Sequence, residues 1–234
     1  MIDIHTHCLP GLDDGSPDTK TSIEMLAGSR KQGVRACFAT PHCVLHHPMG
    51  LSEFLHNRER SYKRLLDVVE DTDEKLPKII LGAEVYLDHD ISEYEDLEKL
   101  CLGNTKYMLL EFSREGINPV MVTEWLYSLT VRGIKPVIAH VERYFEWEEI
   151  INRTIGMGYI YQLNAENFLS FFGRRYMKKI IEYGQDYIVA SDMHNTADRS
   201  SKMREAYQKS LKMFPKLTKS MFWDNAYEII KEDI

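Results

Sequence analysis

The chain is poor in cysteine: four in 234 residues. Cys8, Cys37, Cys43 and Cys101 form no Cys-x-x-Cys pair and no regular framework. That excludes a disulfide scaffold and reads as reduced thiols of a cytoplasmic protein. None of them is followed six residues later by arginine, which removes the Cys-x5-Arg loop of cysteine-dependent phosphatases. Positive charge is also in deficit. A formal net charge of −7 argues against a nucleic-acid partner, whose binder needs a basic stripe. No apolar run approaches the length of a membrane span, and no charged-then-apolar leader opens the sequence. Repeats, low-complexity tracts and Gly/Ser-rich linkers are missing too. With 44% hydrophobic residues, the expectation is a single domain over residues 1–234 with a full core.

What is present is an alternation. Residues 2–7, 34–42, 78–87, 107–112, 135–140, 159–166 and 187–192 read as apolar strands. Between them lie helical patterns. Ser16-Pro17 reads as an N-cap followed by proline at the first helical position, with Gly33 as the stop. Residues 51–70 read as a long helix with Leu55, Arg58, Tyr62, Leu65, Leu66 and Val69 on one side, and 119–132 as another. Two more, around 198–213 and 218–231, are divided by Pro215. Strand then helix, about seven times, is the grammar of a parallel α/β protein. A closed barrel satisfies it, and so does an open doubly wound sheet.

The strand ends carry the chemistry. They deliver His5 and His7, then His42, Glu84, Glu111, His140 and Asn164, and finally Asp192 and His194. In parallel α/β folds the carboxyl ends of the strands meet at the ligand-binding rim. Any one histidine there is more often a hydrogen-bonded core residue than a ligand. So many ionisable groups on one low-dielectric rim, however, repel or stay desolvated unless cations compensate them. The set reads as a metal site.

The ordered runs "IDIHTHCLPGLDDG", "ATPH", "GAEVYL", "LLEFS", "PVIAHVERY", "QLNAE" and "ASDMHN" resemble the polymerase-and-histidinol-phosphatase (PHP) superfamily. Within it the chain is most similar to the bacterial manganese-dependent protein-tyrosine phosphatases of the CpsB type, which act in capsule and exopolysaccharide synthesis. The resemblance runs from residue 2 to about residue 200 and implies an α/β fold, a distorted (β/α)7 barrel. It implies one metal on His5, His7, Glu84 and Asp192. A second would share Glu84 and add Glu111 and His140, and a third would take Asp14, His42 and His194. The family favours Mn2+, and mixed imidazole and carboxylate donors suit Fe or Zn as well. Asp13 is expected to be a turn residue or a partner behind the ligands.

The resemblance also implies phosphate-contacting arginines at Arg143 and Arg199, and a role for His42 or His194 in protonating a leaving group. The expected partner is a phosphotyrosine-containing protein, the tail of a bacterial tyrosine autokinase; oligomeric state stays open. A small phosphate ester such as histidinol phosphate, or a non-catalytic role beside the polysaccharide machinery, are the rival readings. Val141 stands where the family often has proline, and Glu166-Asn167 replace a small Gly-Ser pair, which puts substrate fit near the sixth strand in question. His46 and His47 fall in a loop expected to be exposed and within reach of substrate; His56 and His89 read as surface or capping residues, and Cys8 as packing.

Overall fold

A computed structural model describes residues 1–45 and 48–231; His46 and His47 lie outside the described residues. Among the described residues, nine parallel strands make two sheets. β1 (Ile2–Thr6), β2 (Ala36–Ala39) and β4 (Lys78–Leu81) pair in the order β1-β2-β4. β3 (His42–Val44), β5 (Glu84–Tyr86), β6 (Tyr107–Glu111), β7 (Lys135–Ile138), β8 (Ile160–Asn164) and β9 (Asp186–Ala190) pair in that order. The helices are α1 (Thr19–Lys31), α2 (Pro48–Glu70), α3 (Pro119–Val131), α4 (Trp147–Thr154), α5 (Phe171–Ile181), α6 (Met203–Met213) and α7 (Asn225–Ile230).

Two of the seven sequence-predicted strands are each broken in two, for physical reasons. The run 34–42 breaks at Thr40-Pro41. Thr40 Oγ1 accepts from Thr6 N at 3.0 Å, and proline has no N–H to give the ladder. Pairing resumes on a different neighbour, with His42 opposite Glu84. The run 78–87 breaks at Gly82, where a Cβ would lie 2.9 Å from Leu102 Cδ2 and 3.1 Å from Thr40 Cγ2. A side chain there would have to displace both. The gap between β4 and β6 is bridged by Gly103 N donating to Leu81 O at 2.7 Å and Leu102 N donating to Tyr107 O at 2.8 Å. Buried Arg58 of α2 pins the same place, donating to Gly82 O at 2.7 Å and Lys99 O at 2.9 Å.

Counting β2 with β3 and β4 with β5 leaves seven staves. The ring closes where Asp192 N reaches His5 O, His7 N reaches Met193 O (both 2.9 Å), and Thr6 bridges Met193. The result is a distorted (β/α)7 barrel. Alternate residues such as Ile4, Phe38, Ile80, Leu109, Val137 and Ile188 fill one buried cluster, which Ala226, Ile229 and Ile230 of α7 join. The helices cover the other faces of the strands. With both faces buried, the strands read as continuous apolar runs.

Other boundaries shift. α1 is capped by Asp18, which accepts from Thr21 N at 2.7 Å, not by Ser16; Ser16 Oγ instead donates to Asp18 O at 2.8 Å. No α-helix links β5 to β6, and the acidic, Gly-Asn-containing segment there holds only a 3-10 turn, Leu97–Leu100. α6 starts at Met203 rather than 198, because Asn195 and Asp198 fold the preceding residues into a side-chain-bonded loop. The last predicted helix is a π-helical turn, Ser220–Asp224, running into α7.

Candidate metal centre

The barrel mouth collects all nine ligand-type side chains singled out in the sequence. β1 supplies His5 and continues to His7, β3 supplies His42, β5 Glu84 and β6 Glu111; His140 follows β7, Asp192 and His194 follow β9, and Asp14 comes from the loop after β1. Period-two alternation explains the aim of several. Glu111 continues the inward row of Leu109, and Asp192 that of Ile188 and Ala190.

At the centre, His5 Nε2 lies 3.1 Å from His7 Nε2 and 3.1 Å from Glu84 Oε2. Asp192 Oδ1 is 3.5 Å from both imidazole nitrogens, and His7 Nε2 is 3.3 Å from Glu84 Oε2. On one flank, His140 Nε2 is 2.9 Å from Glu84 Oε1 and 3.4 Å from Glu111 Oε1. His42 Nδ1 closes that flank at 2.9 Å from Glu84 Oε2 and 3.7 Å from Glu111 Oε2. On the other flank, Asp14 Oδ1 sits 3.3 Å from both His42 Nε2 and His194 Nε2.

These atoms fit metal ions. The Nδ1 atom of His7 is 2.7 Å from Asp13 Oδ2 and that of His5 is 3.0 Å from Gln162 Oε1. Both partners are acceptors, so both Nδ1 atoms carry the hydrogen and, in the neutral rings, both Nε2 atoms present lone pairs to each other. Two lone pairs 3.1 Å apart, flanked by carboxylate oxygens, demand positive charge between them. Glu84 Oε2 and His194 Nε2 are also buried without a hydrogen-bond partner. Ligand atoms of His5, His7 and Glu84 lie within 4.8 Å of one another, as do those of His42, Glu84 and Glu111, and those of His7, Asp14, His42 and His194. The grouping differs from expectation: His7 joins the third set as well as the first, His42 stands with Glu84 and Glu111 as well as with the third set, and neither Asp192 nor His140 falls within these groups. Asp13 stands behind His7, as expected, and also accepts from Gly15 N and His42 N.

The electrostatics follow from this crowding. Burial opposes charge on His5 and His7, yet Glu84 and Asp192 around His5, and Asp13, Asp192 and Glu84 around His7, raise both. Burial likewise opposes ionisation of Glu84, but His5, His140 and His42 hold it well below the usual carboxylate range. His194, desolvated and next to His7, falls to about 4. Burial and the Glu84 charge push Glu111 up.

Both arginines reach the same mouth. Arg143 Nη2 is 2.7 Å from Asp192 Oδ2. Arg199 is held more loosely, 3.5 Å from Asp192 and from Asp14. Together they line a small polar cleft with Asn164, Glu166, Ser191, Ser200 and Lys202. Glu166 therefore faces the cleft, while Asn167 Nδ2 turns away to Glu142 Oε1 at 2.9 Å; Val141 is fully buried. His56 is exposed, and His89 bonds Asp88 and Tyr94 away from the site. All four cysteines are free and buried. Sequence reading passed over Gln162, although its position two residues before Asn164 on one strand was the available signal.

Comparison with known proteins agrees with this geometry. A family model described as "Capsular polysaccharide synthesis, CpsB/CapC" matches residues 1–231. The tyrosine-protein phosphatase CpsB of Streptococcus pneumoniae is 34% identical, with 100% of each chain covered. The tyrosine-protein phosphatase YwqE of Bacillus subtilis is 31% identical, covering 99% of this chain and 92% of its own. A solved structure from the work on YwqE and S. pneumoniae CpsB, described as "unique metal-dependent tyrosine phosphatases", superposes with a TM-score of 0.80 at 29% identity, covering 99% of this chain and 94% of that one. The chain belongs to the CpsB/CapC family of capsular polysaccharide synthesis.

Proposed function

We propose that this chain is a metal-dependent protein-tyrosine phosphatase that works without a cysteine nucleophile. One observation carries the reading: the His5 and His7 Nε2 atoms face each other with Glu84 and Asp192 around them, and that same Asp192 lines the cleft with Arg143 and Arg199. His5, His7, Glu84 and Asp192 would hold one divalent cation, Glu84, Glu111 and His140 a second, and Asp14, His42 and His194 a third. When held there, such cations would supply Lewis acidity toward the phosphoryl oxygens and would make water more acidic. Arg143 and Arg199 orient the phosphoryl group through charge-assisted, fork-shaped contacts. Asp192 holds the Arg143 guanidinium in place at 2.7 Å. Of the two histidines considered for the leaving group, His42 is about a third exposed and His194 is buried. His42 is thus the more accessible of the two.

The family resemblance favours manganese and, as substrate, the phosphorylated tail of a tyrosine autokinase of the capsule machinery, met in the cytoplasm. No helix among the described residues is long and apolar enough to cross a membrane. Turnover of phosphotyrosine peptides against histidinol phosphate, each with and without added manganese, tests the reading. Manganese-dependent turnover that favours phosphotyrosine is expected. Preference for histidinol phosphate, or turnover indifferent to metal, overturns it.

A further inference from the structure

β8 donates no candidate metal ligand, yet two of its side chains, Gln162 and Asn164, are buried in the mouth. They form a chain of bonds with fixed direction. At one end, Asp192 Oδ2 is a carboxylate oxygen and can only accept, so the atom 3.0 Å away is Asn164 Nδ2. Asn164 Oδ1 is then the acceptor for Gln162 Nε2 at 2.7 Å. At the other end, the backbone N–H of His140 can only donate, and it points at Gln162 Oε1 at 2.7 Å. Both ends demand the same amide orientation, so neither amide can be flipped. Gln162 Oε1 therefore takes a second donor at 3.0 Å, His5 Nδ1–H.

The two ends share another feature. His140 has φ 28° and Asp192 φ 53°, both in the left-handed region that side chains avoid. Such backbone is costly and persists only where surrounding contacts over-determine it. The amide chain bonds the backbone of one strained residue and the carboxylate of the other.

We propose that Gln162 and Asn164 are a positioning relay that fixes the Nδ1–H tautomer of His5 and holds His140 and Asp192 in register with it. The relay rests on the metal-centre reading but not on the substrate. It turns the His5 Nε2 lone pair, rather than an N–H, toward Glu84, His7 and Asp192. Without Gln162, His5 loses the Nδ1 acceptor it has among the described residues, and His140 loses a bond to its backbone N–H. Partners of this kind behind a ligand typically weigh about 10–100-fold in metal affinity.

The test uses the full chain without substrate. Metal affinity is measured by chelator competition with Mn2+ and Zn2+, and the imidazole tautomers are read from long-range proton–nitrogen NMR correlations of metal-free protein at alkaline pH. In Gln162→Leu, affinity should fall at least tenfold while circular dichroism is unchanged, and His5 should no longer be protonated at Nδ1 alone. Gln162→Glu keeps an acceptor for His5 but cannot donate to Asn164, so its tautomer should persist while affinity falls; it carries the test if the leucine variant does not fold. Affinity within twofold of the parent in both variants overturns the relay, as does an unchanged His5 tautomer in Gln162→Leu. A parent chain that bound no divalent cation would sink the metal reading instead, and the tautomer would then decide the relay alone.

Discussion

At the residue scale, the centre separates groups that hold charge in place from groups that act on substrate. Glu84 touches His5, His42 and His140 at 3.1 Å or less and belongs to both halves of the central cluster. Glu84→Gln keeps the size and loses the charge, so bound metal and turnover should disappear together while the fold persists. Elemental analysis beside circular dichroism checks this, and unchanged metal content would end the bridging assignment. Arg143 and Arg199 cannot ligate a cation, so alanine at either should leave the centre loaded. A charge-assisted hydrogen bond is worth about 1.5–3 kcal/mol, roughly one to two orders of magnitude in rate. Arg143 is fixed by Asp192 at 2.7 Å and Arg199 only at 3.5 Å, so Arg143→Ala should cost more. If both act on charge developing in the transition state, kcat falls more than KM rises. Steady-state kinetics on a phosphotyrosine peptide decides it.

At the element scale, the loop between β1 and α1 is held by close backbone approach. A Cβ on Gly15 would lie 2.2 Å from His7 O and 2.4 Å from His7 Cβ. Gly15→Ala should therefore displace the loop, disturb the Asp13 bond to His7 and destabilise the fold by about 1–3 kcal/mol. Gly28→Ala, mid-α1 with nothing within 4 Å of the added carbon, should instead stabilise by roughly 0.5–1 kcal/mol. Urea midpoints of the two variants should move in opposite directions. The same loop shows what a sequence discloses. His5, His7, His42, His140 and His194 were legible because strands end at them and a ligand rim needs such donors. The break at Gly82 was not, because its cause is Leu102, a residue twenty positions away pressing on the backbone. Asp18 displaced Ser16 as the α1 cap for a similar reason, since Ser16 is drawn into bonds with Asp18 O and the Ser22 hydroxyl. Gln162 stayed hidden because an amide inside an apolar strand has no pattern of its own until its partners on β1 and β7 are in place.

At the scale of the whole molecule, burial and catalysis make opposite demands on thiols and metals. Every cysteine is enclosed, and burial pushes Cys43 and Cys101 up to about 12. The thiolate is the reactive form; Cys8 is lowered by its contacts with Cys37 and Thr6 but is fully buried, so a thiol reagent should label native protein negligibly and all four sites in denaturant. Alkylating conditions should spare turnover, whereas a chelator should abolish it; rapid inactivation by alkylation that phosphate blocks would return a cysteine to the mechanism. The closure of the barrel has a consequence for how the protein is made. β1 is made before β9, yet the ring shuts through the bonds that join His5, Thr6 and His7 to Asp192 and Met193. A nascent chain stopped after β8 holds His5, His7, His42 and Glu84 with one edge of β1 still bare, and with neither Asp192 nor His194 to complete the donor sets. Contacts of such long sequence separation form late. On the proposed donor sets, the first and third are therefore completed only after residues 192 and 194 have been made, whereas Glu84, Glu111 and His140 are all in hand earlier.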